Sequence, residues 1–258
     1  MKVLAIGDVV GRCGRDALAF HLPEMIEKYK PDFVIANGEN ASHGRGLNEE
    51  GAQTLFDSGV DVITMGNHTF GNRDIYKLLR YEKRIIRPIN YPKGTAGNGY
   101  GVFEKDGLKI AVVNALGRVY MDPMDSPFSA VADALEEIKE QTDIILVDFH
   151  AEATSEKIAL SWYLDGMVSA VFGTHTHVQT ADERISPKGS AYISDLGMTG
   201  AFYSVLGMER KVIVDRFVTG MPAKFELADG MAQINAVLIT IDESNGKSTQ
   251  IERIFMKY

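Results

Sequence analysis

Asp32-Phe33-Val34-Ile35-Ala36-Asn37-Gly38-Glu39-Asn40 is a short apolar run that ends in a cluster of polar side chains. A continuous apolar run of this length, bounded by turn residues, reads as a strand buried on both faces. The same figure recurs along the chain. Lys2 to Gly7 leads to Asp8, and Val60 to Met65 leads to Gly66-Asn67-His68. Asp143 to Phe149 leads to His150, and Ser169 to Phe172 leads to Gly173-Thr174-His175-Thr176-His177. Between these runs lie segments of helical period. One covers about 14–29, with Leu18, Leu22, Met25, Ile26 and Tyr29 on one side, and Pro31 stops it. Others start at Asn48 as N-cap, cover 74–80, run to about 140 with Val131, Leu135 and Ile138 inward, and run from a Thr154 cap to about 164. Strands alternating with helices place the chain in the α/β class.

The middle and the end differ in character. Residues 90–101 carry Pro92 and four glycines and read as a long loop; Gly97, Gly99 and Gly101 are followed by no helix and fit a hairpin approach better than a phosphate cradle. Runs 100–104 and 108–114, joined at Asp106-Gly107, predict a hairpin. A strand over 190–195 and a helix over 209–217 follow. Runs 234–242 and 250–256, separated by the turn at 243–246, predict a closing hairpin. No repeat, linker or low-complexity segment interrupts residues 1–258, so one domain is expected.

Composition narrows the function classes. With 45% hydrophobic residues, 258 residues bury a substantial core. The net charge is −8 and no Lys/Arg run is present, which argues against a stable complex with a long nucleic acid. A small anionic substrate fits if a bound metal reverses the local field. Cys13 is the single cysteine, so no internal disulfide forms. No run reaches a membrane span, and residues 2–6 are too short for a signal-peptide core, so a cytoplasmic location is expected.

The polar residues at the strand ends carry the functional reading. Each has a bland explanation alone: Asp8 as a helix cap, Asn40 and Asn67 as turn residues, His150 as a buried histidine bonded to backbone. Side chains two apart in extended chain point the same way, so His175 and His177 would address one spot. In α/β sheets ligands bind at the carboxyl ends of strands. Asp8, Glu39, Asn40, Asn67, His150, His175 and His177 together point to a metal centre. Imidazole, carboxylate and amide oxygen without thiolate suit iron, manganese or zinc rather than a structural zinc–sulfur site. Seven candidates exceed one four-coordinate ion, and two ions about 3.5–4 Å apart, bridged by Glu39, account for them. His68 then points outward and serves as proton donor.

The order Gly7-Asp8, Gly38-Glu39-Asn40, Gly66-Asn67-His68, His150 and Gly173-x-His175-x-His177 resembles the calcineurin-like metallophosphoesterases. Their common pattern is Gly-Asp-x-His, Gly-Asp, Gly-Asn-His-Asp/Glu, His and Gly-His-x-His. This chain departs from it at Val10, at Glu39-Asn40 and at Thr69. Those departures are similar to one branch, the YmdB-like phosphodiesterases that act on 2′,3′-cyclic nucleotides. The likeness spans nearly the whole chain, including Asp148-Phe149-His150-Ala151-Glu152-Ala153-Thr154-Ser155 and Gly197-Met198-Thr199-Gly200. It implies a four-layered α/β/β/α sandwich. It also implies that Asp8, Glu39, Asn40 and His177 hold one metal and Glu39, Asn67, His150 and His175 the second, with iron favoured and manganese next. Hydroxide held between the metals would open the 2′ side of the ring with His68 as proton donor, leaving a 3′-nucleotide. Asn40 would stand in for the histidine missing at position 10. What orients His68 without an acid at position 69 stays open, with Asp74 as a candidate.

Other residues near these motifs are weighed separately. His43, Arg12 or Arg15 could touch phosphate, or serve the loop and the solvent. Cys13 and His21 read as structural. Rival readings are a broader phosphomonoesterase or nuclease, a regulatory or RNA-associated protein using the metals as a sensor, and an amidohydrolase. The last fits poorly because its His-x-His comes from the first strand. A homo-oligomer is compatible with the sequence.

Overall fold

A computed structural model describes all 258 residues. Fourteen strands form two sheets. The first contains β1 (Lys2–Ile6), β2 (Asp8–Val9), β3 (Phe33–Asn37), β4 (Val62–Thr64) and β5 (Ile85–Ile86). The second contains β6 (Tyr100–Lys105), β7 (Leu108–Leu116), β8 (Ile145–His150), β9 (Ala170–Thr174), β10 (Arg184–Ile185) and β11 (Ala191–Ile193). The chain then returns to the first sheet with β12 (Met198–Ala201), β13 (Ala232–Ile241) and β14 (Ser248–Lys257). The orders are β2-β12-β13-β1-β3-β4-β5, with β14 also on β13, and β10-β11-β9-β8-β7-β6. Strands β1, β3, β4 and β5 are parallel, as are β7, β8, β9 and β11. The predicted hairpins at 106–107 and 243–246 form as β6–β7 and β13–β14.

Six helices cover the sheets: α1 (Gly11–Tyr29), α2 (Glu49–Asp57), α3 (Ile75–Tyr81), α4 (Pro127–Ile138), α5 (Thr154–Leu164) and α6 (Arg210–Thr219). Three apolar cores separate four layers, and the period of two sorts the strand residues between them. Leu4 and Ile6 face α1, packing with Leu18, Leu22 and Met25. Val3 and Ala5 face the second sheet, where they join Phe33, Ile110, Leu146 and Phe172. Ile145, Val147 and Phe149 point the other way, onto α4 and α5 through Val131, Leu135 and Leu160. The architecture is the α/β/β/α sandwich that the resemblance implied. No helix is long and apolar enough to cross a membrane.

Several local expectations change. Helix α1 starts at Gly11, three residues before the expected start at about 14, and continues through Pro23. Asn48 caps α2, accepting from the Gly51 amide at 2.9 Å. Thr154 does not cap α5, because it is already the first helical residue and Ala153 precedes it. Strand β12 has no apolar run to announce it, since Met198-Thr199-Gly200-Ala201 is sheet only through β2 and β13.

Candidate metal centre

The carboxyl ends of both sheets meet at one place. From the first sheet come Asp8 in β2, Glu39 and Asn40 in the turn after β3, and Asn67 and His68 after β4. From the second come His150, the last residue of β8, and His175 and His177 after β9. Asp8, Glu39, Asn40 and His150 are buried.

Two groups of contacts share Glu39. In one, His150 Nε2 lies 3.2 Å from Glu39 Oε1, 3.0 Å from Asn67 Oδ1 and 3.1 Å from His175 Nδ1. Glu39, His150 and His175 each offer a ligand atom within 4.8 Å of the others. In the other, Asn40 Nδ2 lies 3.2 Å from Glu39 Oε1 and 3.1 Å from His177 Nε2, which is 3.7 Å from Asp8 Oδ1. Close approach is built in at Gly66, where a Cβ would fall 2.4 Å from both Glu39 Oε2 and His150 Nε2.

Each histidine has its far nitrogen tied, which fixes the nitrogen that faces the centre. His150 Nδ1 lies 2.9 Å from Thr174 Oγ1, whose hydroxyl donates to Asp148 Oδ1 at 2.7 Å. His175 Nε2 lies 3.1 Å from Glu152, and His177 Nδ1 donates to the Leu206 carbonyl at 3.1 Å. Asp148 takes further bonds from Thr64 and from Asn37, the latter at 3.2 Å. Burial pushes the Asp148 carboxyl up to about 6. Burial alone would lower His150, but Glu39, Asp8 and Asp148 outweigh it and raise the imidazole to about 9. Burial and the neighbouring His150 hold His175 down at about 3. Burial raises Asp8.

The loop carrying His175 and His177 is not extended chain. Strand β9 ends at Thr174, and the two histidines have φ of 102° and 64°. The expectation that strand alternation aligns them is therefore corrected. They reach the centre from a bent backbone, His175 through Nδ1 and His177 through Nε2. Non-glycine residues at positive φ carry a conformational cost, and such strain gathers at functional sites. The bend is held by bonds from His175 N to Asp8 Oδ2 at 3.1 Å and from Thr176 N to Asp195 Oδ2 at 3.0 Å. Asp195 also pairs with buried Lys157 at 2.7 Å, and Lys157 donates to the Thr174 carbonyl at 2.9 Å.

His68 is partly exposed, and its position has a cause that the sequence left open. Its Nδ1 lies 2.8 Å from Asn40 Oδ1 and 3.3 Å from Glu39 Oε1, and its backbone N–H donates to Glu39 Oε2 at 2.8 Å. Asp74 instead precedes α3 and lies at the surface. Arg12 pairs with Asp229 at 2.7 Å, and Arg15 donates to the Ala41 carbonyl. His43 is exposed at φ 55°. Cys13 is buried and directs its thiol to the Gly230 carbonyl. His21 stacks on Tyr258 with centroids 3.3 Å apart.

Sequence reasoning passed over Asp148, Lys157, Asp195 and Glu152. Asp148 carried a signal: a charge inside a buried run, two residues before His150 and therefore on its face. Lys157 and Asp195 carried none, because a pair 38 residues apart is visible only in space. Above the centre lies a cavity of about 440 Å³. Its floor is Glu39, Asn40, His68, His175 and His177, and one wall is Val205, Leu206, Met208, Ile213, Phe217 and Phe225.

The sequence model of the YmdB-like protein family matches residues 4–254. A Bacillus subtilis (strain 168) protein named 2′,3′-cyclic-nucleotide 2′-phosphodiesterase is 48% identical, over 99% of this chain and 97% of its own. A crystal structure of a hypothetical protein from Thermus thermophilus superposes with a TM-score of 0.94 at 44% identity, covering 100% of this chain and 99% of that one. A Mycoplasma pneumoniae protein described as a novel phosphatase superposes with a TM-score of 0.93 at 39% identity, covering 100% and 93%.

Proposed function

We propose, from the premise that this chain belongs to the YmdB-like family of metallophosphoesterases, that it is a metal-dependent phosphodiesterase. Its substrate is a 2′,3′-cyclic nucleotide and its product the 3′-nucleotide, with residues 1–258 acting as one unit. The substrate class follows the name of the Bacillus subtilis relative.

The observation that carries the metal is Asp8. Its Oδ1 is buried and has no hydrogen-bond partner, although it lies 3.7 Å from His177 Nε2 and 3.9 Å from His150 Nδ1. An unpaired buried carboxylate oxygen is costly unless a cation meets it. With Glu39 also buried, two carboxylates lie among imidazoles whose far nitrogens are engaged elsewhere. This donor set fits two ions. Asp8, Glu39, Asn40 and His177 would hold one, and Glu39, Asn67, His150 and His175 the other, with iron first and manganese second as candidates. When bound, such ions acidify water and offset charge on a phosphoryl group.

The chain's own part is orientation and proton transfer. As imidazolium, His68 would have its Nδ1–H accepted by Asn40 Oδ1 at 2.8 Å, with Glu39 Oε1 3.3 Å away, and its Nε2 proton would pass to the departing 2′-oxygen, leaving the neutral ring. The backbone bond from His68 to Glu39 keeps the ring over the floor while that happens.

Metal analysis of the purified protein, followed by assay with 2′,3′-cyclic AMP after loading with iron or manganese, tests this. About two metals per chain and release of 3′-AMP are expected. Fewer than one metal, with no turnover after loading, breaks it.

A further inference from the structure

The cavity over the centre has two unlike sides. The floor bears carboxylate, amide and imidazole, whereas the wall from α6 and its flanks offers no side-chain hydrogen-bonding group. Phe217 is 83% exposed, so a large ring stands in water beside a polar site. Ile213 lies one helical turn earlier on the same face and is buried, which anchors that face. Phe225 is half-exposed, and the Arg216 guanidinium lies over its ring at 4.8 Å. The wall is joined to the floor directly, because the Leu206 carbonyl accepts from His177 Nδ1. Bonds from Glu209 N to the Glu226 carbonyl and from Ala228 N to the Gly207 carbonyl close the base of the segment carrying both rings.

We propose that this wall is the nucleobase subsite, with Phe217 and Phe225 covering the faces of the base while the phosphate rests on the floor. The proposal rests on the phosphodiesterase reading above. A cyclic nucleotide has the same two-sided chemistry as the cavity: an anionic end and a flat ring with apolar faces. A volume of about 440 Å³ suits one mononucleotide. Stacking is sequence-tolerant, because every base has a π-face, and none of the side chains lining this wall can hydrogen-bond a base edge. Purine and pyrimidine cyclic nucleotides should therefore be cleaved with kcat/KM values within about tenfold of one another.

The test compares 2′,3′-cyclic AMP with ribose 2,3-cyclic phosphate, which lacks the base, on the metal-loaded protein. In Phe217→Ala, and separately in Phe225→Ala, the ratio of the two kcat/KM values should fall about tenfold. Phe217→Tyr should restore it, and Val218→Ser, beside Phe217 but off the cavity, should leave the ratio unchanged. Calorimetric titration with 3′-AMP and with ribose 3-phosphate reads the subsite without turnover. Phe217→Ala should weaken the first more than the second. If the wild type cleaves no phosphodiester, the phosphodiesterase reading fails and the titration alone decides the subsite. Equal losses for both ligands, or an unchanged ratio with a lowered sedimentation mass, would overturn it; the wall would then be a contact between copies of this chain. Discrimination among the four bases beyond about a hundredfold would overturn the stacking mode.

Discussion

The floor and the wall of the cavity are built by opposite means. The floor hangs on the ends of parallel strands from both sheets; its Glu39 and Asn40 are buried, as are Asp8 and His150 of the same centre. The wall hangs on α6, of which only Ile213 is buried, and its largest ring stands in water. Strand ends locked between two cores cannot shift without disturbing them. A helix with one buried anchor can move at little cost. The proposed chemistry therefore sits on the rigid part, and the proposed recognition on the part that can adjust.

The hardest blow to the floor is Glu39→Gln. Glu39 belongs to both contact groups, so metal content should collapse and hydrolysis should drop to background; full activity would break the account. His68→Ala comes next, slowing turnover on the order of 10²- to 10⁴-fold with metal content kept. The slowing should be least with a good leaving group. Loss of metal in that variant would make His68 a ligand instead.

Lys157→Met probes the floor from beneath. It leaves Asp195 buried without its cation and should cost about 3–5 kcal/mol in denaturant unfolding. Metal retention should weaken too, because the same pair holds the loop of His175 and His177. The pH dependence follows from His150. Raised to about 9 in the metal-free protein, it is protonated at neutral pH, so metal uptake must release its proton. Proton release on adding metal at pH 7, and tighter binding as pH rises toward 9, are expected. Without metal the sign reverses for stability. The contribution of charged His150 is full below its ordinary value of about 6.5 and is lost as pH climbs through about 9. The smallest effect belongs to the wall: Val214→Ser, on the exposed side of α6, should change stability by less than about 0.5 kcal/mol.

Much of the floor could be read in the sequence because each residue closes a buried run. Val3-Leu4-Ala5-Ile6 and Phe33-Val34-Ile35-Ala36 are too apolar to lie anywhere but inside, and the first polar residues after them must emerge at a sheet end. The wall was much less legible. Residues 209–217 predict a helix, but nothing in Phe217 or Phe225 says that they overlook Glu39 and His68. Strand β12 was missed for a related reason: two glycine- and threonine-containing pairings define it, not its own composition.

The sequence by itself determined the strand–helix alternation, the residues at the strand ends and the chemical character of their donors, because burial period and side-chain chemistry are local properties. Only the tertiary structure decided that two sheets deliver those ends to one point. It also decided that His175 and His177 arrive on a bent backbone held by Asp8, Lys157 and Asp195, and that Asn40 rather than Asp74 orients His68. Those are contacts between residues far apart in the chain, and no local pattern records which distant partner a buried polar group will find.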